Sequence, residues 1–220
     1  MSRLKIGLVL LAGGKGTRMG LSFPKQFYKL KGKEIALHSL EILVSHPRIE
    51  EIAVVTPQEY QMCFIPLLKK TCLPFFFGEP GKRRQDSLAN GMQLLSTPWI
   101  CVHDAVRPFI SHEMLDRLFC AQHEAQAIAL GMPMKATVKE CREGGWVDRT
   151  LDREKLFEIQ TPQLVTKEVL SEGFALANKE NLTVTDDVSL AELANIPVKI
   201  ITGSYQNIKI TTQDDLEIQN

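Results

Sequence analysis

No segment of this chain approaches the ~20 consecutive apolar residues of a membrane-spanning helix, so no membrane association is expected. No sign of charge dominates either. The 26 Lys and Arg balance 26 Asp and Glu, which removes the global field that would advertise nucleic acid or an anionic surface. Phosphate binding would have to come from local clusters of cations. Cysteine is sparse and scattered: Cys63, Cys72, Cys101, Cys120 and Cys141 are odd in number and include no Cys-x-x-Cys pair or Cys/His cluster. That argues against a disulfide framework and structural zinc, and for reduced thiols in a cytoplasmic protein. No repeat, low-complexity tract or Pro/Ser-rich linker divides the 220 residues, so one domain spanning 1–220 is expected. Arg3, Lys5 and the run Ile6 to Ala12 mimic a short signal peptide, but no small-x-small cleavage site follows. The run is read instead as a core strand.

What is present alternates between two periods. Ile6 to Leu10, Glu51 to Thr56, Leu73 to Phe77, Trp99 to His103, Ala127 to Met132 and Pro197 to Thr202 read as strands, those at Ile6, Trp99 and Ala127 as buried ones. Apolar residues at helical spacing occupy Ile35 to Val44, Glu59 to Lys70, a segment from about Arg83, Ser111 to Gln122 and Val165 to Ala177. Thr183 to Ser189 opens a further helix through Leu193, Gln206 to Thr211 reads as a short last strand, and a terminal helix starts at Asp214. Strand-helix alternation of this kind predicts an α/β fold, Rossmann-like, with a mostly parallel sheet flanked by helices. One stretch breaks the pattern. Ala136 to Cys141 and Trp146 to Thr150, joined through Glu143-Gly144-Gly145, read as a hairpin too poor in apolar residues to bury itself. Residues 136–158 are therefore expected to project as an arm and dock on a second copy, with Trp146 as anchor.

The chemistry concentrates in Leu11 to Lys25, LAGGKGTRMGLSFPK, directly after the first strand. Gly13, Gly14 and Gly16 free the backbone to approach a ligand, and Arg18 and Lys25 suit anionic oxygens, so a polyphosphate is the expected ligand. The stretch is not a Walker loop, because Thr17 and Arg18 follow Gly16. It is not the dinucleotide fingerprint either, because Met19 holds the third glycine place. Further along, GEPGKRRQDS puts Lys82, Arg83 and Arg84 at a helix N-terminus, where three cations oppose the helix dipole. They are either a solvated face or a site for an anion. Gly81 and Ser87 would then lie against a nucleotide. The strand Trp99 to His103 delivers Asp104 at its carboxyl end, where open parallel sheets collect ligands. A carboxylate there suits a divalent cation carrying triphosphate, and His103 is expected to be a core or orienting residue. Lys209, between Ile208 and Ile210, should face an anion or solvent, because an unpaired buried ammonium is costly.

Taken in order, AGGKGTRMG…PKQ, GKRRQDS, VHDAVRP, RTLDR, QTPQ, VTDD and NIKIT resemble the 2-C-methyl-D-erythritol 4-phosphate cytidylyltransferase family, from Leu8 to about Leu216. The resemblance implies transfer of a cytidylyl group from CTP to methylerythritol phosphate, with Mg²⁺, in a homodimer whose arm completes the partner's site. It implies Arg18 and Lys25 on the triphosphate, with Ala12, Gly13, Gly14, Gly81, Ser87 and Ala105 around the nucleotide. Asp104 would sit near the metal and phosphates. Arg107, Thr137, Arg153, Thr161, Thr185 and Lys209 would hold the acceptor, with Arg153 supplied to the other subunit and, like Lys209, grouped with the catalytic cations. Two details depart from the family pattern: Leu-Ala-Gly-Gly opens the loop, and Gln206 stands where an acidic residue is common. A ribitol 5-phosphate cytidylyltransferase, sharing the loop and the Asp104 region, stays open as the alternative.

Overall fold

The computed structural model describes residues 5–14, 16, 20 and 22–217. Its strands are β1 (Ile6–Leu11), β2 (Lys29–Leu30), β3 (Lys33–Glu34), β4 (Ile49–Val55), β5 (Phe75–Gly78), β6 (Trp99–Asp104), β7 (Ala127–Pro133), β8 (Lys139–Cys141), β9 (Val147–Thr150), β10 (Phe157–Thr166) and β11 (Val198–Thr202). Its helices are α1 (Ile35–Ser45), α2 (Gln61–Leu68), α3 (Arg84–Gln93), α4 (His112–Cys120), α5 (Lys167–Lys179), α6 (Ser189–Leu193) and α7 (Asp214–Glu217). Seven strands form one sheet in the order β11-β7-β10-β6-β1-β4-β5. Only β10 runs against its neighbours.

Helices cover both faces, so the central strands are apolar at nearly every position rather than alternating. Leu8, Leu10, Ile52 and Val54 point into one core layer with Leu40, Phe64 and Phe119. Val9, Ala53 and Val55 point into the other with Leu88, Leu170 and Leu190. The chain leaves β1 for β4 and β5 on one side, then returns through α3 to β6 on the other. The strand order therefore reverses between β1 and β6, where Leu11 pairs in register with Asp104. A crevice opens at such a reversal, outside the carboxyl ends of the strands.

Three expected elements differ. Val165 belongs to β10, not to the following helix. It pairs with Ile100 on one side and Ala127 on the other, and α5 starts only after Thr166, whose side chain accepts from the Val169 N–H. The helix opened by TVTDDVS is confined to Ser189–Leu193, because Asp186 Oδ1 accepts from the Ser189 N–H and holds the preceding residues in a turn. Gln206 to Thr211 is not a strand. It is an irregular segment pinned by Ile210 N–H to Val106 C=O and by the Arg107 guanidinium to Asn207 C=O. The small β2–β3 hairpin and the long β10 were not anticipated.

Within residues 136–158, β8 and β9 form a separate two-stranded sheet, and every residue in both strands is exposed. Trp146 is 78% exposed in this single chain. Among the described residues no helix is long and apolar enough to cross a membrane.

Candidate active site

The crevice predicted by the strand order is a cavity of about 380 Å³. Gly13, Gly14 and Gly16 form one wall, Gly81 to Arg84 and Ser87 the other, and Asp104, Lys25 and Lys209 complete it. The two glycine segments meet closely. A Cβ at Gly13 would lie 2.5 Å from the Pro80 ring, and one at Gly81 would lie 2.8 Å from the Asp86 backbone. Any side chain at Gly81 would therefore force the loop off the start of α3. Ser87 fixes the same loop, because its Oγ accepts from the Gly81 N–H at 3.0 Å.

Asp104 is the electrostatic centre. Its Oδ1 accepts from Arg84 Nη2 at 2.8 Å, and its Oδ2 accepts from Lys209 Nζ at 2.6 Å. Burial alone would push this carboxyl up, but the Arg84 and Lys209 charges outweigh burial and hold it well below the usual carboxylate range. Arg84 also reaches Asp187, Nη1 to Oδ1 at 2.5 Å and Nη2 to Oδ2 at 2.9 Å. One guanidinium fork thus ties together two buried carboxylates. Burial leaves the Asp187 carboxyl above its ordinary value despite Arg84.

Behind Asp104 the polar groups form a relay of single donors. The Thr161 hydroxyl accepts the Asp104 N–H at 3.1 Å and lies 3.2 Å from His103 Nδ1. His103 Nε2 is 3.0 Å from the Arg107 carbonyl, which only accepts. Nε2 therefore carries the proton, and Nδ1 accepts from Thr161. Burial pushes His103 down to about 4, so the ring is neutral, as this tautomer requires. It orients Thr161, and through it Asp104, which fits the orienting role expected from the sequence.

The three cations at the α3 N-terminus divide. Arg83 pairs with Asp86, and Arg84 with Asp104 and Asp187, so internal carboxylates relieve much of the conflict with the dipole. Lys82 lines the cavity.

Of the residues singled out in the sequence, Gly13, Gly14, Lys25, Gly81, Ser87, Asp104 and Lys209 converge on this one cavity. Arg18 lies outside the described residues. Ala12 and Ala105 are buried beside the cavity. Arg107 is buried and turned to backbone, with Nη1 2.7 Å from Asn207 O, so in this chain it anchors the segment carrying Lys209. Thr161 sits behind Asp104. Thr137 and Arg153 are exposed on the arm, where Arg153 Nη1 holds the Lys135 carbonyl, and Thr185 borders a separate depression near α6. One chain therefore brings the expected nucleotide residues together and leaves much of the expected acceptor set apart. Asp187 and Gln26 were not identified, and Arg84 was noticed only as one of three cations. The DD of VTDD was the available signal for Asp187.

A divalent cation fits this donor set in one way only. Among the described residues no group of three or more His, Cys, Asp or Glu could hold a metal ion. A single ionised carboxylate facing the cavity suits Mg²⁺ that takes its other ligands from phosphate and water.

Comparison with known proteins follows the same lines. Residues 6–220 match the family model described as 2-C-methyl-D-erythritol 4-phosphate cytidylyltransferase. The chain is 43% identical over 213 residues to the chloroplastic enzyme of that name from Oryza sativa subsp. japonica, covering 96% of this chain and 72% of the relative. It is 40% identical over 215 residues to the one from Chlamydia pneumoniae, covering 98% and 97%. Among solved structures, 4-diphosphocytidyl-2C-methyl-D-erythritol synthase from Anaerococcus prevotii DSM 20548 superposes with a TM-score of 0.86 at 27% identity, covering 100% of this chain and 98% of that one. The cytidylyltransferase of Francisella tularensis gives 0.82 at 30% identity, with 97% of each chain covered.

Proposed function

Because the chain belongs to the 2-C-methyl-D-erythritol 4-phosphate cytidylyltransferase family, we propose that it performs the reaction of that name. It transfers the cytidylyl group of CTP to 2-C-methyl-D-erythritol 4-phosphate, giving CDP-methylerythritol and pyrophosphate, in the non-mevalonate route to isoprenoids. The observation that carries the reading is the convergence of the glycine loop, Lys25, Asp104 and Lys209 on one crevice at the β1/β6 reversal.

The acceptor phosphate is already an anion at neutral pH, so the step needs no general base. Its oxygen attacks the α-phosphorus of CTP, and pyrophosphate leaves from the opposite side. The requirement is to bring two anions together and to stabilise the charge that builds on the α-phosphate oxygens. Fixed cations supply both. In this reading Lys25 and Arg18 act on the triphosphate, and Lys209 acts on the acceptor phosphate. Asp104 sets the position of Lys209. Ala12, Gly13, Gly14, Gly81, Ser87 and Ala105 surround the nucleotide. Mg²⁺ would be held by Asp104 and phosphate oxygens, and when bound it neutralises triphosphate charge.

The chain acts as a homodimer in this reading. Residues 136–158 reach a second copy, and Arg153 and Thr137 join Arg107, Thr161 and Thr185 in an acceptor site drawn from both chains. The exposure of Trp146 and the separation of those residues within one chain support it. The balanced charge and unpaired thiols suit the cytoplasm. Pyrophosphate release from CTP and Mg²⁺ is the test, with methylerythritol phosphate and ribitol 5-phosphate offered separately. Turnover with the first alone is expected; preference for ribitol phosphate would keep the nucleotide site and overturn the acceptor.

A further inference from the structure

Gln26 has no part in the reaction as described above. It is 2% exposed, sits in the short turn Lys25–Phe27 and borders the cavity. Its Nε2 lies 2.6 Å from the Ala12 carbonyl oxygen and 2.9 Å from that of Gly14. Two carbonyls can be met only by the NH₂ end of the amide, so its orientation is settled and both N–H bonds are used.

A phosphate-binding loop carries carbonyl acceptors as well as N–H donors, and a free acceptor beside the ligand repels an anion. The planar trans peptide adds a directional constraint. Holding the Ala12 carbonyl towards Gln26 sends the Gly13 N–H the opposite way. A second contact fixes the same relationship. Gly16 stands at φ +63°, and a Cβ there would lie 3.0 Å from Lys25 N and 3.3 Å from Lys25 Cβ, so the loop rests directly on the Lys25-Gln26 turn.

We propose that Gln26 is a positioning residue for the nucleotide: its side-chain amide clamps the Ala12 and Gly14 carbonyls, so that the glycine loop offers donors rather than acceptors to the triphosphate. The proposal rests on the cytidylyltransferase reading. Its signature is a dependence on ligand charge. Unclamping the carbonyls penalises CTP more than CMP, whereas lost packing alone would lower thermal stability and affect both ligands alike.

Calorimetric titration of the full chain with CTP and with CMP tests this on the unaltered protein, Gln26→Met and Gln26→Glu, with the unfolding temperature of each recorded. Met has similar length and no donor. CTP should bind Gln26→Met about tenfold more weakly, with a much smaller loss for CMP. An ionised carboxylate at this position cannot donate, so Gln26→Glu should lose more at neutral pH. It should recover on acidification relative to Gln26→Met, because a protonated carboxyl donates again. Should Gln26→Glu not fold, Gln26→Met decides alone. Wild-type affinity for CTP in Gln26→Met, or equal losses for CTP and CMP, would overturn the proposal. Failure of the unaltered protein to bind CTP would instead overturn the cytidylyltransferase reading, and this proposal with it.

Discussion

Lys209 Nζ and Asp104 Oδ2 meet at 2.6 Å although 105 positions separate them in the chain. Asp104 ends β6 beside β1, and Lys209 arrives on a segment with no ladder of its own. The segment is held by the buried Arg107 on the Asn207 carbonyl and by Ile210 N–H on Val106 C=O. Lys209 is half-exposed while Asp104 is buried, so the ammonium keeps a side open to an incoming anion.

Lys209→Met should therefore lower kcat by roughly 10²-fold, the scale of losing one preorganised donor. CTP affinity should change little, because Arg84 still satisfies Asp104 Oδ1. Steady-state kinetics beside CTP titration separates the two effects. A loss confined to CTP affinity would move Lys209 from the acceptor to the nucleotide.

Lys25→Ala should also cut turnover by roughly 10²-fold or more, without unfolding the chain. Lys25 is 8% exposed and packs under Gly16, so its removal leaves a small gap rather than a broken core. Near-normal turnover in a variant with a native circular dichroism spectrum would take Lys25 out of the mechanism.

Which parts of this site could be read in the sequence follows from where each constraint is satisfied. Glycines 13, 14 and 16 and the strand ending at Asp104 leave local marks, because backbone approach and strand termini each restrict residue type at that place. The cost of burying an ammonium left Lys209 facing either an anion or solvent, and did not mark Asp104 as its partner. β10 was missed for the opposite reason. Gln160, Thr161 and Gln163 are buried polar residues in mid-sheet, and their needs are met far away in sequence. Asn207 Nδ2 donates to the Thr161 carbonyl, and Gln163 Oε1 accepts from the Asp187 and Val188 N–H groups. No local period records partners of that kind. Arg84 and Asp187 were obscured in the same way, each by a neighbour of like charge, Arg83 and Asp186.

The arm offers a test of assembly. β8 and β9 bury nothing within the chain, and a lone two-stranded hairpin is marginal in water. Trp146→Glu should shift the sedimentation coefficient from dimer towards monomer while leaving CTP binding intact. Turnover should fall with the dimer fraction, because Arg153 and Thr137 lie on the same arm. A Trp146→Glu protein that stays dimeric would place the interface elsewhere.

His103 gives stability a pH dependence with a fixed sign. Burial holds the folded-state ring at about 4, against an ordinary value of 6.5. Between those values the unfolded chain binds a proton that the folded chain refuses, so stability declines as pH drops through that window. The His103 contribution to this decline should be about 2 kcal/mol between pH 7 and pH 5. His46, also pushed down by burial, adds in the same direction, so the comparison has to be made against a variant. His103→Gln removes the titrating ring, and urea unfolding at the two pH values should show a correspondingly flatter slope. An unchanged slope would mean that the ring is protonated in the folded state, and His103 Nδ1 would then donate to the Thr161 hydroxyl rather than accept from it.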